Sequence, residues 1–303
     1  EFTQIDIEMS FGDEDTIFAV VEDLMKNIFK ETKNYTLEDH FVRIPWAECM
    51  RRFGSDKPDM RFGNEIQDIT PVFENTEFQV FKNTIENGGV VNCVKFENAA
   101  DKYSRKGLDQ LQDFVKHGFK AKALAYLKME NDLLTGSIAK VLSEEEKAKL
   151  VEKLGLANND LVLVIADSAR IAQTSLGALR VRLGHELNLI PTEENYKFLW
   201  VTDFPMFEYS EEDQRWVAAH HPFTAPKEED VDKLFTDPGH VSSRAYDLVL
   251  NGYELLSGSI RIHSQELQAK VFEAIGLSLE DAKARFGFFL DSFRYGTPPH
   301  GGV

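Results

Sequence analysis

The sequence predicts an α+β protein in which one β-sheet domain is interrupted by a second, self-contained α+β domain. Three observations point there. Residues 2–11 alternate, with Ile5, Ile7, Met9 and Phe11 on one side and Gln4, Asp6, Glu8 and Ser10 on the other, the pattern of a half-buried strand. Between about 60 and 190, short strands and helices take turns, as in a compact α+β unit. After 190 the strand-rich texture returns and contains Asn251-Gly252 between two apolar runs, a strong hairpin signal. The expected division therefore places 1–60 and 191–303 in one domain, with 61–190 inserted.

The elements follow in order. Ile17, Val20, Val21, Leu24 and Ile28 recur at helical spacing and predict an amphipathic helix over 14–31. A short helix is expected from Pro45 to Gly54, since proline suits a first helical position and glycine a terminus. In the middle, 90–96, 123–129 and 161–166 read as strands, and 105–117, 144–154 and 172–188 as helices. Ser143 with Glu146 forms a capping box, and Gly155 supplies a stop. Beyond 190, segments 198–207 and 216–219 are expected to pair across a polar turn, and 244–250 to pair with 253–263. Helices are expected at 265–275, closed by Gly276, and at 279–294, capped by Ser278; 296–302 reads as a loop.

Composition narrows the function classes. Hydrophobic residues make up 43% and charged residues 28%, enough to build a sizeable core in water. No apolar run approaches the ~20 residues that span a bilayer, and the first residues carry no basic segment followed by an apolar one. Cys49 and Cys93 form no CxxC pair and have no zinc-type spacing, so they are expected to be idle thiols in a reducing compartment. The net charge of −17 repels a polyphosphate backbone, so any nucleic-acid contact needs a local basic patch. Lys116, Lys120, Lys122 and Lys128 form such a stretch, either a solvated strand face or a contact surface for RNA or protein. No P-loop, GxGxxG, GxSxG or HExxH pattern occurs.

The hairpin carries the candidate chemistry. A two-residue turn pairs Leu250 with Tyr253 and Val249 with Glu254, which puts Asp247, Val249 and Glu254 on one face. Asp247 and Glu254 are then diagonal neighbours about 7–8 Å apart. Such a pair either holds a magnesium ion bridged to phosphates or is simply solvated. By strict alternation Arg261 faces away from Glu254. A bulge at Gly258 would bring it round, where its guanidinium could grip a carboxylate; otherwise it is a surface arginine. His220 and His221, adjacent on a strand, would point to opposite faces and so not share a metal. Asp6 and Glu8, with Gln4 beside them, form an acidic strand face that either receives an ammonium group or is solvated.

Several segments, taken together, resemble aspartyl-tRNA synthetases of the bacterial type. They are Glu1-Phe2-Thr3-Gln4-Ile5-Asp6-Ile7-Glu8, Gly54-Ser55-Asp56-Lys57-Pro58-Asp59, Asp203-Phe204-Pro205-Met206-Phe207-Glu208 and His220-His221-Pro222-Phe223-Thr224. Asn251-Gly252-Tyr253-Glu254, Gly258-Ser259-Ile260-Arg261-Ile262-His263 and Tyr295-Gly296-Thr297-Pro298-Pro299-His300-Gly301-Gly302 complete the set, in family order. The resemblance implies a class II synthetase antiparallel sheet flanked by helices, with an inserted domain of the GAD type. It also implies formation of aspartyl-adenylate from aspartate and ATP with Mg2+, transfer to tRNA, a homodimer and work in the cytoplasm without a membrane. Carried over by position, Asp6 and Gln4 match contacts to the substrate ammonium, and Arg261 matches the arginine on the aspartate side-chain carboxylate. His220, with His221 beside it, matches the aspartate pocket; Asp247 and Glu254 match magnesium–ATP ligands, and Ser257 a hydroxyl near that metal. The family's anticodon-binding barrel, its first motif and the phenylalanine-arginine-aspartate-glutamate segment of its second find no match, nor does the third motif's arginine. The expectation is thus a fragment that does not activate aspartate by itself. Two rivals are a tRNA-independent aspartate-activating enzyme of the asparagine synthetase kind, and a tRNA- or protein-binding module centred on the inserted domain.

Overall fold

The computed structural model describes residues 1–303. The alternating stretch at the start yields only a short strand, β1 (Glu8–Ser10), and Phe2 and Ile5 are exposed. Helix α1 (Glu14–Lys33) is capped by Asp13, whose carboxylate accepts from the Thr16 amide at 2.9 Å, and it buries Ile17, Phe18 and Val21. Strand β2 (Val42–Pro45) leads straight into α2 (Trp46–Phe53), so Pro45 ends a strand instead of starting the helix. Then come β3 (Ile66–Asp68), α3 (Gln79–Glu86), β4 (Val90–Phe96), α4 (Arg105–Phe119), β5 (Ala125–Glu130), β6 (Leu133–Gly136), α5 (Glu144–Leu154), β7 (Leu161–Asp167) and α6 (Ala169–Glu186). The expected capping box is present: Ser143 and Glu146 bond reciprocally.

Beyond α6 the chain forms β8 (Phe198–Thr202), β9 (Phe207–Ser210), β10 (Arg215–Ala218), β11 (Ala245–Leu250), β12 (Tyr253–Ile260), α7 (Gln265–Ala274), α8 (Leu279–Ser292) and β13 (His300–Gly302). Here the structure corrects two expectations. The run 198–207 is two strands, broken where Asp203 takes a left-handed φ of 56° ahead of Pro205; only β9 pairs with β10. The glycine-rich 296–302 segment is not wholly a loop, because β13 inserts between β1 and β12.

Contacts divide the chain into two compact units, Glu1–Ala47 with Phe198–Val303, and Glu48–Lys197. The first is built on a six-stranded sheet, ordered β1-β13-β12-β11-β8-β2 and antiparallel except for β2 against β8. On one face of that sheet Phe18 of α1 stacks on Trp200 at 4.0 Å and meets Tyr246 edge-on. The second unit is a five-stranded sheet, β3-β4-β7-β5-β6, with one apolar cluster on the α4 and α6 side and another on the α5 side. The acidic excess sits almost wholly in the first unit, which has 28 acidic and 13 basic residues against 23 and 21 in the second.

The second unit begins at Glu48, ahead of the expected boundary near 60, and Arg180 supplies a reason. This fully buried side chain of α6 donates to the carbonyls of Asp59, Phe62 and Gly63 at 2.7–3.1 Å, and its guanidinium lies 4.0 Å from the Phe62 ring. The stretch 59–63 is thereby tied to α6. Burial lowers the Arg180 pKa to about 10, which leaves it charged at neutral pH. Lys128, which sequence placed in a basic stretch, donates inward to the carbonyls of Ala100 and Tyr103 at 2.6 and 2.8 Å. Both cysteines are buried, which pushes their thiols up to about 12 and leaves them unreactive. Replacing Arg180 by Met should strand the buried Asp59 carbonyl and loosen the part-buried carbonyls of Phe62 and Gly63, at a cost of about 1–3 kcal/mol. Hydrogen exchange of β4 and β7 should accelerate accordingly, and unchanged protection there would contradict this role for Arg180.

Candidate functional site

The site is set by the β11–β12 hairpin. Asn251 and Gly252 both adopt positive φ, 53° and 89°, as a tight two-residue turn requires. Leu250 faces Tyr253 and Val249 faces Glu254, but Leu248 then faces Leu256 and Asp247 faces Ser257. Leu255 is therefore the extra residue of a bulge, three positions before the glycine expected to make one. The parity flips there, so Glu254, Ser257, Ser259 and, by continued alternation, Arg261 share the Asp247 face. Gly258 has another task. A Cβ at that position would lie 2.1 Å from the Gly302 carbonyl and 2.6 Å from the Tyr246 ring, so the glycine admits β13 alongside. Tyr246 donates to that same Gly302 carbonyl at 3.0 Å.

A cavity of about 200 Å³ opens on this face. It brings together five of the eight residues proposed from sequence: Asp6, His220, His221, Ser257 and Arg261. Glu8, Thr224 and Ser259 line it too. The other three stand outside its lining. Gln4 lies exposed ahead of β1, Asp247 is buried opposite Ser257, and Glu254 is exposed near the turn. Glu8 reaches the cavity because it pairs with Gly302, which in turn pairs with Ser259. Thr224 and Ser259 escaped the sequence reading, since only the strand register shows which way they face.

The two histidines follow β10 in a bend and loop, not a strand, and so both can face one cavity. His220 sits edge-on to Phe204, ring centroids 5.0 Å apart. His221 accepts at Nδ1 from the Phe223 amide at 3.3 Å, with the Thr224 hydroxyl at the same distance. That bond favours the neutral tautomer with its proton on Nε2. Burial, and next the nearby Arg261 and His220, lower the His221 pKa to about 4. His221 thus meets a ligand as a neutral imidazole beside the Arg261 guanidinium.

A larger cavity of about 300 Å³ lies around Phe18 and Tyr246. Its three cations are already matched: Arg244 holds Glu14 in bidentate fashion at 2.7 and 2.6 Å, Arg43 meets Asp15, and Lys227 meets Asp203, while the Asp13 carboxylate is engaged by Thr16 as a helix cap. The smaller cavity is the better ligand site because Asp6 and Arg261 both open onto it with opposite charge. No group of three His, Cys, Asp or Glu side chains is placed to cage a metal ion.

A family model, tRNA synthetases class II (D, K and N), matches residues 1–303. The chain is 48% identical to an aspartate–tRNA ligase of Staphylococcus carnosus and 51% identical to one of Listeria monocytogenes. It is 49% identical to an aspartate–tRNA(Asp/Asn) ligase of a Geobacillus species. Each match covers 100% of this chain and 51% of the relative, so the chain spans about half the length of these curated relatives.

The lowered His221 pKa has a consequence for stability. An unfolded histidine takes up a proton near pH 6.5, whereas the folded one does so only near 4. Between those values the unfolded state binds more protons, so this contribution to stability is lost as pH falls from about 6.5 to 4. An NMR titration should find the His221 ring midpoint near 4, and a midpoint above 6 would overturn the neutral assignment.

Proposed function

The chain belongs to the class II tRNA synthetases (D, K and N), and from that premise we propose that the whole protein is an aspartate–tRNA ligase. The observation that carries this reading is the cavity with Asp6 and Arg261 in its lining. A free amino acid with an acidic side chain presents an ammonium group and carboxylates. Asp6, with Glu8 nearby, receives the ammonium; Arg261 takes the side-chain carboxylate through its planar fork. His220 and the neutral His221 close the pocket, and His221 offers an Nε2–H donor without adding charge.

With both ends of aspartate held, an oxygen of its α-carboxylate attacks the α-phosphorus of ATP. The bond to the bridging oxygen breaks, pyrophosphate leaves, and aspartyl-adenylate remains for transfer to the tRNA 3′ end. Positioning and charge stabilisation drive such a step, and no side chain acts as covalent nucleophile. Asp247 and Glu254 share a face next to the Ser257 hydroxyl, and this sparse set suits a magnesium ion that draws its other ligands from phosphates and water. When bound, that ion would neutralise phosphate charge. Gln4 lies outside the cavity lining, and its assignment to the ammonium group rests on the family resemblance alone. The unit Glu48–Lys197 is assigned as the family's inserted domain, and the whole protein as a homodimer with tRNA as partner.

The rival readings find less support. The relatives described above are all tRNA ligases by name, which favours tRNA charging over tRNA-independent activation. The basic stretch of the middle unit loses Lys128 to internal carbonyls, which weakens the case for a binding module. Aspartate-dependent ATP–pyrophosphate exchange by the whole protein tests the proposal. Arg261→Ala should raise the aspartate KM roughly 30- to 900-fold, the loss of a charge-assisted bidentate contact worth about 2–4 kcal/mol. The ATP KM should stay within twofold. An aspartate KM that barely moves would remove Arg261 from its role.

A further inference from the structure

We propose that Ser259 is an unassigned specificity contact in this cavity, its hydroxyl donating to the substrate carboxylate that Arg261 holds. The proposal rests on the aspartate reading above. Ser259 is 4% exposed, lines the cavity, and its hydroxyl has no hydrogen-bond partner within the protein. A buried hydroxyl without a partner is costly and uncommon, so one carried by a residue that lines a cavity points to a ligand. Its cross-strand neighbours explain why the protein leaves it unsatisfied. Ser259 sits between Ala245 on β11 and Gly302 on β13, and neither has a polar side chain to offer.

Arg261 lies two residues further along the same strand direction, so both side chains project from one face. A carboxylate gripped by a guanidinium fork uses one lone pair on each oxygen, and each oxygen keeps another. The serine hydroxyl, placed one step nearer the centre of the sheet, donates to such a free lone pair. No protein group takes up that donor, so its service to the fold is small and its service to the substrate large.

The test uses the whole protein carrying Ser259→Ala, with Ser259→Cys as a near-isosteric second variant whose thiol is a weak donor. Aspartate-dependent ATP–pyrophosphate exchange gives the kinetics, calorimetry gives direct aspartate binding, and thermal melting is followed without ligand. Ser259→Ala should raise the aspartate KM roughly 10- to 100-fold and weaken aspartate binding in parallel. It should leave kcat and the ATP KM within twofold and keep the ligand-free Tm unchanged or higher; Ser259→Cys should fall between. A purely structural serine would lower the Tm and spare the aspartate KM, and that result would overturn the proposal. An aspartate KM within twofold in a folded, active variant would overturn it too, while leaving the ligase reading intact. Absence of aspartate-dependent exchange in the unmodified protein would overturn the ligase reading, and this proposal with it.

Discussion

A two-residue turn and one surplus residue determine which side chains the cavity receives. Asn251 and Gly252 take the positive φ values that match a hairpin's twist, and so commit Val249 to face Glu254. Leu255 then breaks the count. Without it, Ser257, Ser259 and Arg261 would turn to the opposite side of the sheet, where Phe18, Trp200 and Tyr246 pack ring against ring. A guanidinium forced among those rings would be stripped of water without a partner, which proteins avoid. The close approach of β13 depends on the same strand, because only a residue without Cβ at 258 leaves room for the Gly302 carbonyl. The site is thus a product of backbone register before it is a product of side-chain chemistry.

Electrostatics then refine what the register assembles. Burial first, and the neighbouring Arg261 guanidinium next, keep His221 from taking up a proton. A doubly cationic wall would draw any anion; a single fixed cation beside a neutral donor is more selective about where the anion must sit. The larger cavity nearby shows the contrast. Its arginines and lysine are spent on Glu14, Asp15 and Asp203, so a ligand there would have to break an ion pair before making one.

Much of this was legible from residues alone, and the failures have physical causes. The helix caps at Ser143 and Ser278 and the Asn251-Gly252 turn are local, so their signals survive in the sequence. The alternation over 2–11 promised a longer strand than β1, which spans Glu8–Ser10. Strand β13 was read as loop because His300-Gly301-Gly302 has poor strand propensity; it is a strand only because two others lie on either side. Gly258 suggested a bulge, whereas the bulge fell on Leu255, a residue with no distinguishing chemistry. Adjacent histidines were expected to diverge as on a strand, and they converge because a bend replaces it. Asp6, His220, His221, Ser257 and Arg261 were named without coordinates; Ser259 and Thr224 needed the register.

The sheet order places β2 directly beside β8 and parallel to it, and parallel neighbours cannot be joined by a hairpin. They need a crossover, commonly a helix of a dozen or so residues. Here the crossover is the whole middle unit, about 150 residues between the end of β2 and the start of β8. Loop-closure entropy grows only with the logarithm of length, so this longer path costs about 2 kcal/mol more than a minimal one if it were slack. A crossover that is itself folded is not slack, and its own core removes most of the freedom that closure would otherwise have to remove. The joint between β2 and β8 is therefore a place where a chain can lengthen by a domain with little thermodynamic penalty to the sheet.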